Sequence, residues 1–272
     1  MAATVGQDGT VGKALAVLDR VALFGRPVRF AEILAESDLP KATLYRLLQT
    51  LVNQDMLRLD EATGCYSVGT RVVRLAHAAW EQATLAPIAR PHLDRLSRHL
   101  DRTVHLAQLD HGQVLYVDKR NAARPISMFS DAGKIGPAYC TGVGKAMLAF
   151  LDPETLDAAL RRQSWFPHTP HTHRDAESLR RDLAEIRLTG IAFDREEHEP
   201  RIICCAAPIL DRGGAPIGAL SVTSSTLRES LDDLATLAPE LIATAAAIAA
   251  DTADWTFPGA LPPAEKTGAL TP

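Results

Sequence analysis

Residues 137–151, PAYCTGVGKAMLAFL, contain a Gly-Val-Gly-Lys run of the kind found in phosphate-binding loops. A nucleotide-binding P-loop has the form G-x-x-x-x-G-K-[ST], because its first glycine allows the turn and its last hydroxyl binds magnesium. Here Tyr139 occupies the position of the first glycine, and Ala146 occupies the position of the hydroxyl. The sequence therefore predicts no nucleotide site in this segment and no bound cofactor.

The same run suits a simpler kind of binding. Thr141 is a good N-cap for a helix that begins near Gly142. Backbone N–H groups of the first turn would then be free at the positive end of the helix dipole, where carboxylates and phosphates bind. A glycine at this position would let a ligand approach the backbone closely. We expect an anion-binding helix start here, with Lys145 in a structural role.

Histidines and cysteines supply the remaining candidates for metal binding or nucleophilic catalysis. Three histidines lie close together in PHTPHTH, and the four cysteines stand at positions 65, 140, 204 and 205. No second cluster with zinc-like ligand spacing accompanies them, and no nucleophile elbow with an oriented third partner is visible. We predict no metal site and no catalytic residue. A thiol sensor that uses Cys65 and Cys140 is left open.

The bulk composition is that of a globular protein rather than a disordered chain. The 272 residues are 46% hydrophobic and 23% charged, with a net charge of −4. No run approaches the roughly 18 apolar residues that a membrane span requires. Residues 1–10 lack the basic start and apolar core of a secretory signal. We expect a cytoplasmic location, no membrane partner, and one small domain followed by a larger one.

Residues 11–70 show the pattern of three short helices followed by a hairpin. Apolar residues recur at helical spacing over residues 11–25, and further helices are predicted over residues 29–37 and 41–53. The third helix carries a narrow apolar stripe of four leucines, at positions 44, 47, 48 and 51. Apolar and polar residues then alternate on both sides of a turn at residues 60–64, which predicts a two-stranded hairpin. This order is typical of a winged helix-turn-helix.

The polar face of the third helix carries residue types that contact base edges in the major groove. They lie in the first turns, where recognition helices usually meet DNA. We predict double-stranded DNA as a partner, with these contact residues: Lys41, Ala42, Thr43, Tyr45, Arg46 and Gln49. Arg46 is the expected principal base contact, although a solvated helix face would show the same residue types.

Residues 71–85 return to helical spacing and are predicted to form a connecting helix. Residues 86–252 then mix predicted strands (103–110, 113–120, 201–210 and 216–225) with predicted helices (91–100, 142–151, 176–188 and a single last helix from about residue 234). Adjacent hairpin strands with few crossover helices favour a mainly antiparallel sheet flanked by helices, in the α+β class. Residues 1–10 and 253–272 are expected to be flexible tails.

Several motifs together resemble the IclR family of transcriptional regulators. In the first part these are LPKATLYRLL and the YSVG that leaves the wing. Further along, TVHLAQLDHGQVLYVDKR, AYCTGVGKAMLAFL, FDREEHEP and CCAAPILDRGGAPIGALSVT resemble the effector-binding domain in the family's order. The resemblance implies a GAF/profilin-like effector domain with a curved sheet. It also implies a homodimer, or a tetramer made of two dimers, that binds palindromic operators and responds to a small metabolite.

The resemblance further implies an effector pocket, at positions Met128, Gly142, Val143, Asp194, Ile202, Cys204, Ser221 and Thr223. Hydroxyls and a helix start suit the polar groups of a small organic acid, and Met128 with Ile202 suits a short apolar body. Where many members have glycine, this chain has Arg201, which pairs either with an effector carboxylate or with Glu197 or Glu199 at the rim.

The sequence therefore predicts a regulator of a catabolic operon, acting as repressor or activator, that is not an enzyme. Its expected effector is a small organic acid. Two alternatives stay open: a thiol- or metal-responsive DNA-binding sensor, and an enzyme that acts on the bound acid.

Overall fold

The computed structural model describes residues 9–83 and 85–252 of the chain. These form two compact units, with the boundary between residues 82 and 83. The tails predicted at residues 1–10 and 253–272 lie outside the described residues, except that the first helix already begins at Gly9.

The first unit contains helices, two short hairpin strands and a third strand. In chain order these are α1 (Gly9–Leu23), β1 (Val28–Arg29), α2 (Phe30–Ala35), α3 (Lys41–Asn53), β2 (Leu57–Asp60), β3 (Cys65–Val68) and α4 (Thr70–Ala83). The strands form an antiparallel sheet in the order β1-β3-β2. The predicted winged helix-turn-helix is therefore present, with β1 as a strand that the sequence pattern did not predict.

The leucine stripe of α3 forms the centre of this unit's core. Leu44, Leu47, Leu48 and Leu51 are all buried, against apolar residues of α1, α2 and the hairpin. The i, i+3, i+4, i+7 spacing places these side chains on one face, so the opposite face of α3 stays in solvent. Packing thus fixes which residues α3 can offer to a partner.

The second unit is built around a six-stranded sheet. Its elements are α5 (Ala86–Leu100), β4 (Thr103–Asp110), β5 (Gln113–Arg120), β6 (Ile135–Gly136), α6 (Gly142–Leu148), α7 (Pro153–Arg161), α8 (Ala176–Thr189), β7 (Ala192–Arg195), β8 (Ile202–Leu210), β9 (Pro216–Ser225), α9 (Leu231–Ala235) and α10 (Ala238–Asp251). All neighbouring strands are antiparallel, in the order β6-β5-β4-β9-β8-β7. The predicted α+β class with an antiparallel sheet and flanking helices is confirmed.

Helices cover both faces of this sheet. α6 packs on β8 and β9 with α8 behind it, while α5 and α10 pack on each other and on β4 and β8. Strands buried on both sides cannot alternate between apolar and polar residues, and residues Ile203 to Ile209 of β8 are accordingly all buried. The site described below lies on the α6 side.

Three predicted details were wrong. The last helix is two helices, α9 and α10, because the chain turns at residues 236–237 and Pro239 begins the new helix without needing an N–H partner. α6 ends at Leu148 rather than residue 151. α5 begins at Ala86 rather than at residue 91. Strands β6 and β7 and helix α7 were not predicted. None of the described helices is long and apolar enough to cross a membrane.

Candidate functional site

The outer face of α3 presents the predicted DNA-contact residues unequally. Lys41, Ala42 and Arg46 are exposed, and neither the Lys41 ammonium nor the Arg46 guanidinium has an ion-pair partner within the described part of the chain. Tyr45 is 55% exposed, with its ring edge against Phe30 of α2 at a centroid distance of 6.1 Å. Two unpaired cations on one solvent-facing helix are well placed for phosphates or base edges.

Two predicted residues on α3 are less available. Thr43 and Gln49 are both half-buried. A half-buried side chain presents less of its surface to a base edge. The exposed set therefore reduces to Lys41, Ala42, Tyr45 and Arg46.

A cavity of about 30 Å³ lies between the sheet and the start of α6. Its lining comes from five neighbouring strands, the α6 N-terminus and two loops: His105, Tyr116, Ser130, Thr141, Gly142, Val143, Asp194, His198, Glu199, Ile202, Cys204, Ser221 and Thr223. Seven of the eight residues predicted for the effector pocket are in this lining. This volume is well below the roughly 300 to 1,000 Å³ of typical small-molecule sites, so the cavity suits only a small ligand and must widen as that ligand binds.

Strand register explains why residues distant in sequence meet here. Asp194 of β7 pairs with Cys204 of β8, and Cys204 pairs with Thr223 of β9. Ser221, two residues before Thr223, pairs with His105 of β4. Directly paired residues of an antiparallel sheet point to the same face, so these side chains share the α6 side.

Gly142 is required by the sheet rather than by a ligand. A Cβ at this position would overlap the Cys204 sulfur and would lie 3.3 Å from the Cβ of Ala206. A Cβ at Gly144 would overlap the backbone of Ala138. The expectation that glycine leaves room for a ligand is corrected: these glycines let α6 approach the strands and its own preceding loop.

Thr141 is at the N-cap position of α6, but its side chain does not cap the helix. Its hydroxyl donates instead to the carbonyl oxygen of Pro137, at 2.8 Å. The predicted hydroxyl cap was therefore wrong, because the tight loop before α6 places the Pro137 carbonyl within reach of the Thr141 hydroxyl, which bonds to it rather than to the first turn of the helix.

Two other expectations fail at the cavity's edge. Met128 is half-buried but does not line the cavity, and its loop contributes Ser130 instead. Arg201 is exposed, does not line the cavity, and makes no described ion pair with Glu197 or Glu199. Its backbone N–H donates to the Glu196 carboxylate.

Burial keeps most titratable groups of the lining neutral near pH 7. It raises the pKa of Asp194 to about 8, with the nearby Glu197 adding to the effect. It lowers the pKa of His105 to about 3 and that of His198 to about 4. It also raises the pKa of the Cys204 thiol well above its usual value. The described lining contains no lysine or arginine, so a bound anion would rest on neutral hydrogen-bond donors.

His105 lies at the centre of a hydrogen-bonded group that the sequence motifs did not reveal. Its Nε2 is 2.9 Å from the Ser130 hydroxyl, and its Nδ1 is 3.3 Å from the Thr223 hydroxyl. The edge of its ring contacts Tyr116, at a centroid distance of 5.5 Å. His105 was missed because only the β4–β9 register places it beside Ser221.

Lys145, the last residue of the Gly-Val-Gly-Lys run, lies outside the cavity lining and is completely buried. Its ammonium donates to Asp182 at 2.6 Å and to Glu197 at 2.5 Å. Burial opposes its positive charge, yet the two carboxylates raise the Lys145 pKa above its usual value. The backbone N–H of Glu197 in turn donates to Asp194 at 2.7 Å, so this cluster supports one wall of the cavity.

The acidic side of this cluster has the composition of a metal site. Ligand atoms of His173, Asp182 and Glu197 lie within 4.8 Å of one another. The Lys145 ammonium, however, already bridges the two carboxylates and supplies the positive charge that they need. His173, part of the histidine-rich loop, donates toward Asp182 at 3.2 Å as a further member of the ion-pair network.

The thiols differ sharply in accessibility. Cys140, Cys204 and Cys205 are buried, and burial raises the pKa of Cys205 to about 12 and that of Cys140 further. A thiol with a raised pKa is a poor nucleophile and a poor redox sensor. Cys65 in the wing is half-exposed.

Comparison with known proteins matches each of the two units to a domain of the same family. The model of the IclR helix-turn-helix domain matches residues 10–61, and the model of the bacterial transcriptional regulator IclR C-terminal domain matches residues 77–250. The chain belongs to the IclR family.

Relatives of this IclR-family regulator share most of its length. The HTH-type transcriptional regulator BhcR of Paracoccus denitrificans is 33% identical over 218 residues, covering 80% of this chain and 78% of BhcR. The acetate operon repressor of Salmonella typhimurium is 29% identical over 243 residues, or 89% of each protein. The crystal structure of the transcriptional regulator RHA06195 from Rhodococcus sp. RHA1 has a TM-score of 0.79 and 27% identity, over 92% of this chain and all of that one.

Proposed function

We propose that this IclR-family regulator binds double-stranded operator DNA through the exposed face of α3 and responds to a small organic acid bound in the cavity beside α6. The regulated genes are proposed to form a catabolic operon, and the protein acts in the cytoplasm, where bacterial operators are. The proposal that the cavity binds an effector rests on one observation: seven of the predicted pocket residues line the same cavity.

The DNA half rests on charge and exposure. Lys41 and Arg46 extend from the same helix face into solvent, and neither forms an ion pair with another residue that the structure describes. Arg58, exposed on strand β2, adds a cation on the wing. In a winged helix-turn-helix the recognition helix contacts bases and further cations contact phosphates, which supports Arg46 as the base contact.

The effector half rests on the chemistry of the lining. Tyr116, Ser221 and Thr223 offer hydroxyl donors, and a protonated Asp194 offers another. Ile202 supplies an apolar contact. Neutral donors around a confined space suit a carboxylate that carries only a few carbon atoms.

We infer a homodimer or a dimer of dimers as the DNA-binding form. None of residues 70–81 of α4 is buried, and Leu75 is 53% exposed. Leu75, Ala76 and Ala79 lie at helical spacing on one face and are all exposed, and such an uncovered apolar stripe supports association with a second copy. Effector control would follow if the acid stabilises one arrangement of the two DNA-binding units, typically by about 1 to 3 kcal/mol.

Replacement of Arg46 tests the DNA half. Operator sequences would first be selected from random duplexes, and affinities of wild type and Arg46→Ala measured by fluorescence anisotropy on selected and scrambled duplexes. We expect Arg46→Ala to lose about 1 to 3 kcal/mol on the selected sequence and to relax its preference. Arg181→Ala removes the same charge from the exposed face of α8 and is the matched control. An equal loss on every duplex would assign Arg46 to phosphate only.

Thermal-shift screening of small aliphatic, aromatic and sugar acids tests the effector half. A ligand at 100 times its Kd stabilises the folded protein by about 2.7 kcal/mol. Ser221→Ala combined with Thr223→Val should abolish this stabilisation and the ligand's effect on operator binding, while operator affinity itself is retained. An unchanged dose curve in the double variant would remove the cavity as the effector site.

A further inference from the structure

His105 is placed so that it controls two hydroxyls of the cavity at once. Its Nε2 is within hydrogen-bond distance of Ser130, and its Nδ1 is within hydrogen-bond distance of Thr223. All three side chains are more than nine-tenths buried, and all three line the cavity. The ring edge on Tyr116 restricts rotation of the imidazole.

The imidazole is neutral in this setting. Burial, together with a smaller contribution from the charge of Lys119, its partner across the β4–β5 pair, lowers the pKa of His105 to about 3. A neutral imidazole carries one proton, so one ring nitrogen donates a hydrogen bond and the other accepts one.

The two hydroxyls must therefore differ. If Nε2 carries the proton, it donates to the Ser130 oxygen, and the Ser130 hydroxyl hydrogen is free to point into the cavity. The Thr223 hydroxyl then donates its hydrogen to Nδ1, so it can only accept a hydrogen bond from a ligand. If Nδ1 carries the proton, the roles of Ser130 and Thr223 are exchanged. In both tautomers one hydroxyl donates to a ligand and the other accepts from it.

We propose that His105 is a specificity-determining residue that makes Ser130 and Thr223 a matched donor and acceptor, and that the cavity consequently selects hydroxy acids. This inference rests on the proposed effector function of the cavity. A hydroxy acid has a carboxylate oxygen for the donor and a hydroxyl hydrogen for the acceptor. A plain acid leaves the buried acceptor unpaired, and so does a dicarboxylate, and an unpaired buried group weakens binding.

Matched ligand pairs test the selection directly. Isothermal titration of the full-length protein with propionate and lactate, succinate and malate, and benzoate and 4-hydroxybenzoate compares acids that differ by one hydroxyl. We expect the hydroxy member of at least one pair to bind about tenfold or more tightly, the gain from one buried hydrogen bond. In His105→Phe, which keeps a planar ring but lacks both nitrogens, this ratio should fall to about twofold or less.

A conservative variant and a spectroscopic measurement separate specificity from stability. His105→Asn keeps one donor and one acceptor on its amide and should restore part of the hydroxy-acid preference. Imidazole ¹⁵N spectra of the ligand-free wild type, assigned by through-bond correlation of the ring to the His105 backbone, should show His105 neutral between pH 5.5 and 8. This spectrum is informative even if both variants fold poorly.

The outcomes distinguish this inference from the proposed function. Saturable binding with equal affinity for both members of every pair would overturn hydroxy-acid selection, while the proposal that the cavity binds an effector would be retained. No saturable binding of any acid would overturn both. A His105 that is protonated at pH 6.5 would overturn the donor and acceptor assignment whatever the ligand data show.

Discussion

The buried ammonium of Lys145 offers the sharpest test of how the α6 wall is held. Lys145→Met keeps a long, unbranched side chain and removes the charge. Lys145 is fully buried and bridges Asp182 and Glu197 at 2.6 and 2.5 Å. Its loss leaves two carboxylates close together with no central cation.

The magnitude follows from that burial. Removing one partner of a buried ion pair destabilises a protein by about 3 to 5 kcal/mol, because the remaining charge stays in a poorly solvated place. For a unit of this size each kcal/mol changes the melting temperature by about 2 to 4 °C, so a decrease of about 6 to 20 °C is expected. Urea unfolding of the full-length protein, followed by circular dichroism, measures the free energy directly.

The sign of the pH dependence is a second, independent readout. In the wild type, although burial by itself would raise it, the His173 hydrogen bond and the Lys145 charge hold the pKa of Asp182 well below its usual value. The ionised Asp182 therefore stabilises the folded protein at any pH above the pKa that this carboxyl has in the unfolded chain. That stabilisation is lost only as the pH falls through the lower pKa of the folded state. In Lys145→Met the carboxylates share no cation, so burial favours a proton on one of them. The variant should gain stability relative to wild type between pH 7 and pH 5.

Two comparisons make the result decisive. Arg181→Met removes a cation from an exposed ion pair with Glu177 on α8 and should cost about 0.5 kcal/mol or less. Lys145→Met combined with Glu197→Gln should recover much of the lost unfolding free energy, because the Asp182 carboxylate then no longer faces a second negative charge at residue 197. A single-variant loss below about 1 kcal/mol with unchanged pH dependence would refute a stabilising role for Lys145.

Three further predictions concern the cavity and the thiols. Gly142→Ala should destabilise the second unit by about 1 to 3 kcal/mol in urea unfolding, since its Cβ would overlap the Cys204 sulfur; a neutral effect would show that α6 can shift. Affinity for an acid effector, measured by titration, should fall as pH rises through about 8, where Asp194 ionises and repels the carboxylate. Asp194→Asn should remove that dependence, and its persistence would assign it to another group. Alkylation by iodoacetamide with mass mapping should modify Cys65 first and spare Cys140 until unfolding; early reaction at Cys140 would revive the thiol-sensor alternative.

Local patterns were sufficient for most elements. The strands at residues 103–110, 113–120 and 216–225 are found at the predicted bounds, because alternation, β-branched residues and turn signals all agree there. The leucine spacing of α3 predicted both its buried stripe and its exposed face. β1 and β6 are two residues long and β7 is four, which is too short for a period to be recognised.

The candidate site was only partly accessible to such reasoning. Resemblance to the family implied seven residues of the cavity, but Met128 was placed wrongly and His105, Tyr116, Ser130 and His198 were missed. Gln49 was expected to face DNA, yet it is half-buried in the first unit. Each miss concerns a side chain whose surroundings come from elements remote in sequence.

By itself the sequence determined most of the elements, the two kinds of unit and the family, because these follow from periodicity and motifs within short stretches. It also excluded a P-loop, since Tyr139 and Ala146 lack the required glycine and hydroxyl. Only the tertiary structure decided what the Gly-Val-Gly-Lys run does: its glycines meet Cys204 and Ala138, and its lysine meets Asp182 and Glu197. Those partners lie on other strands, helices and loops, and burial among them sets the charge and pKa of each group. Strand register and long-range packing therefore fix the chemistry of this cavity.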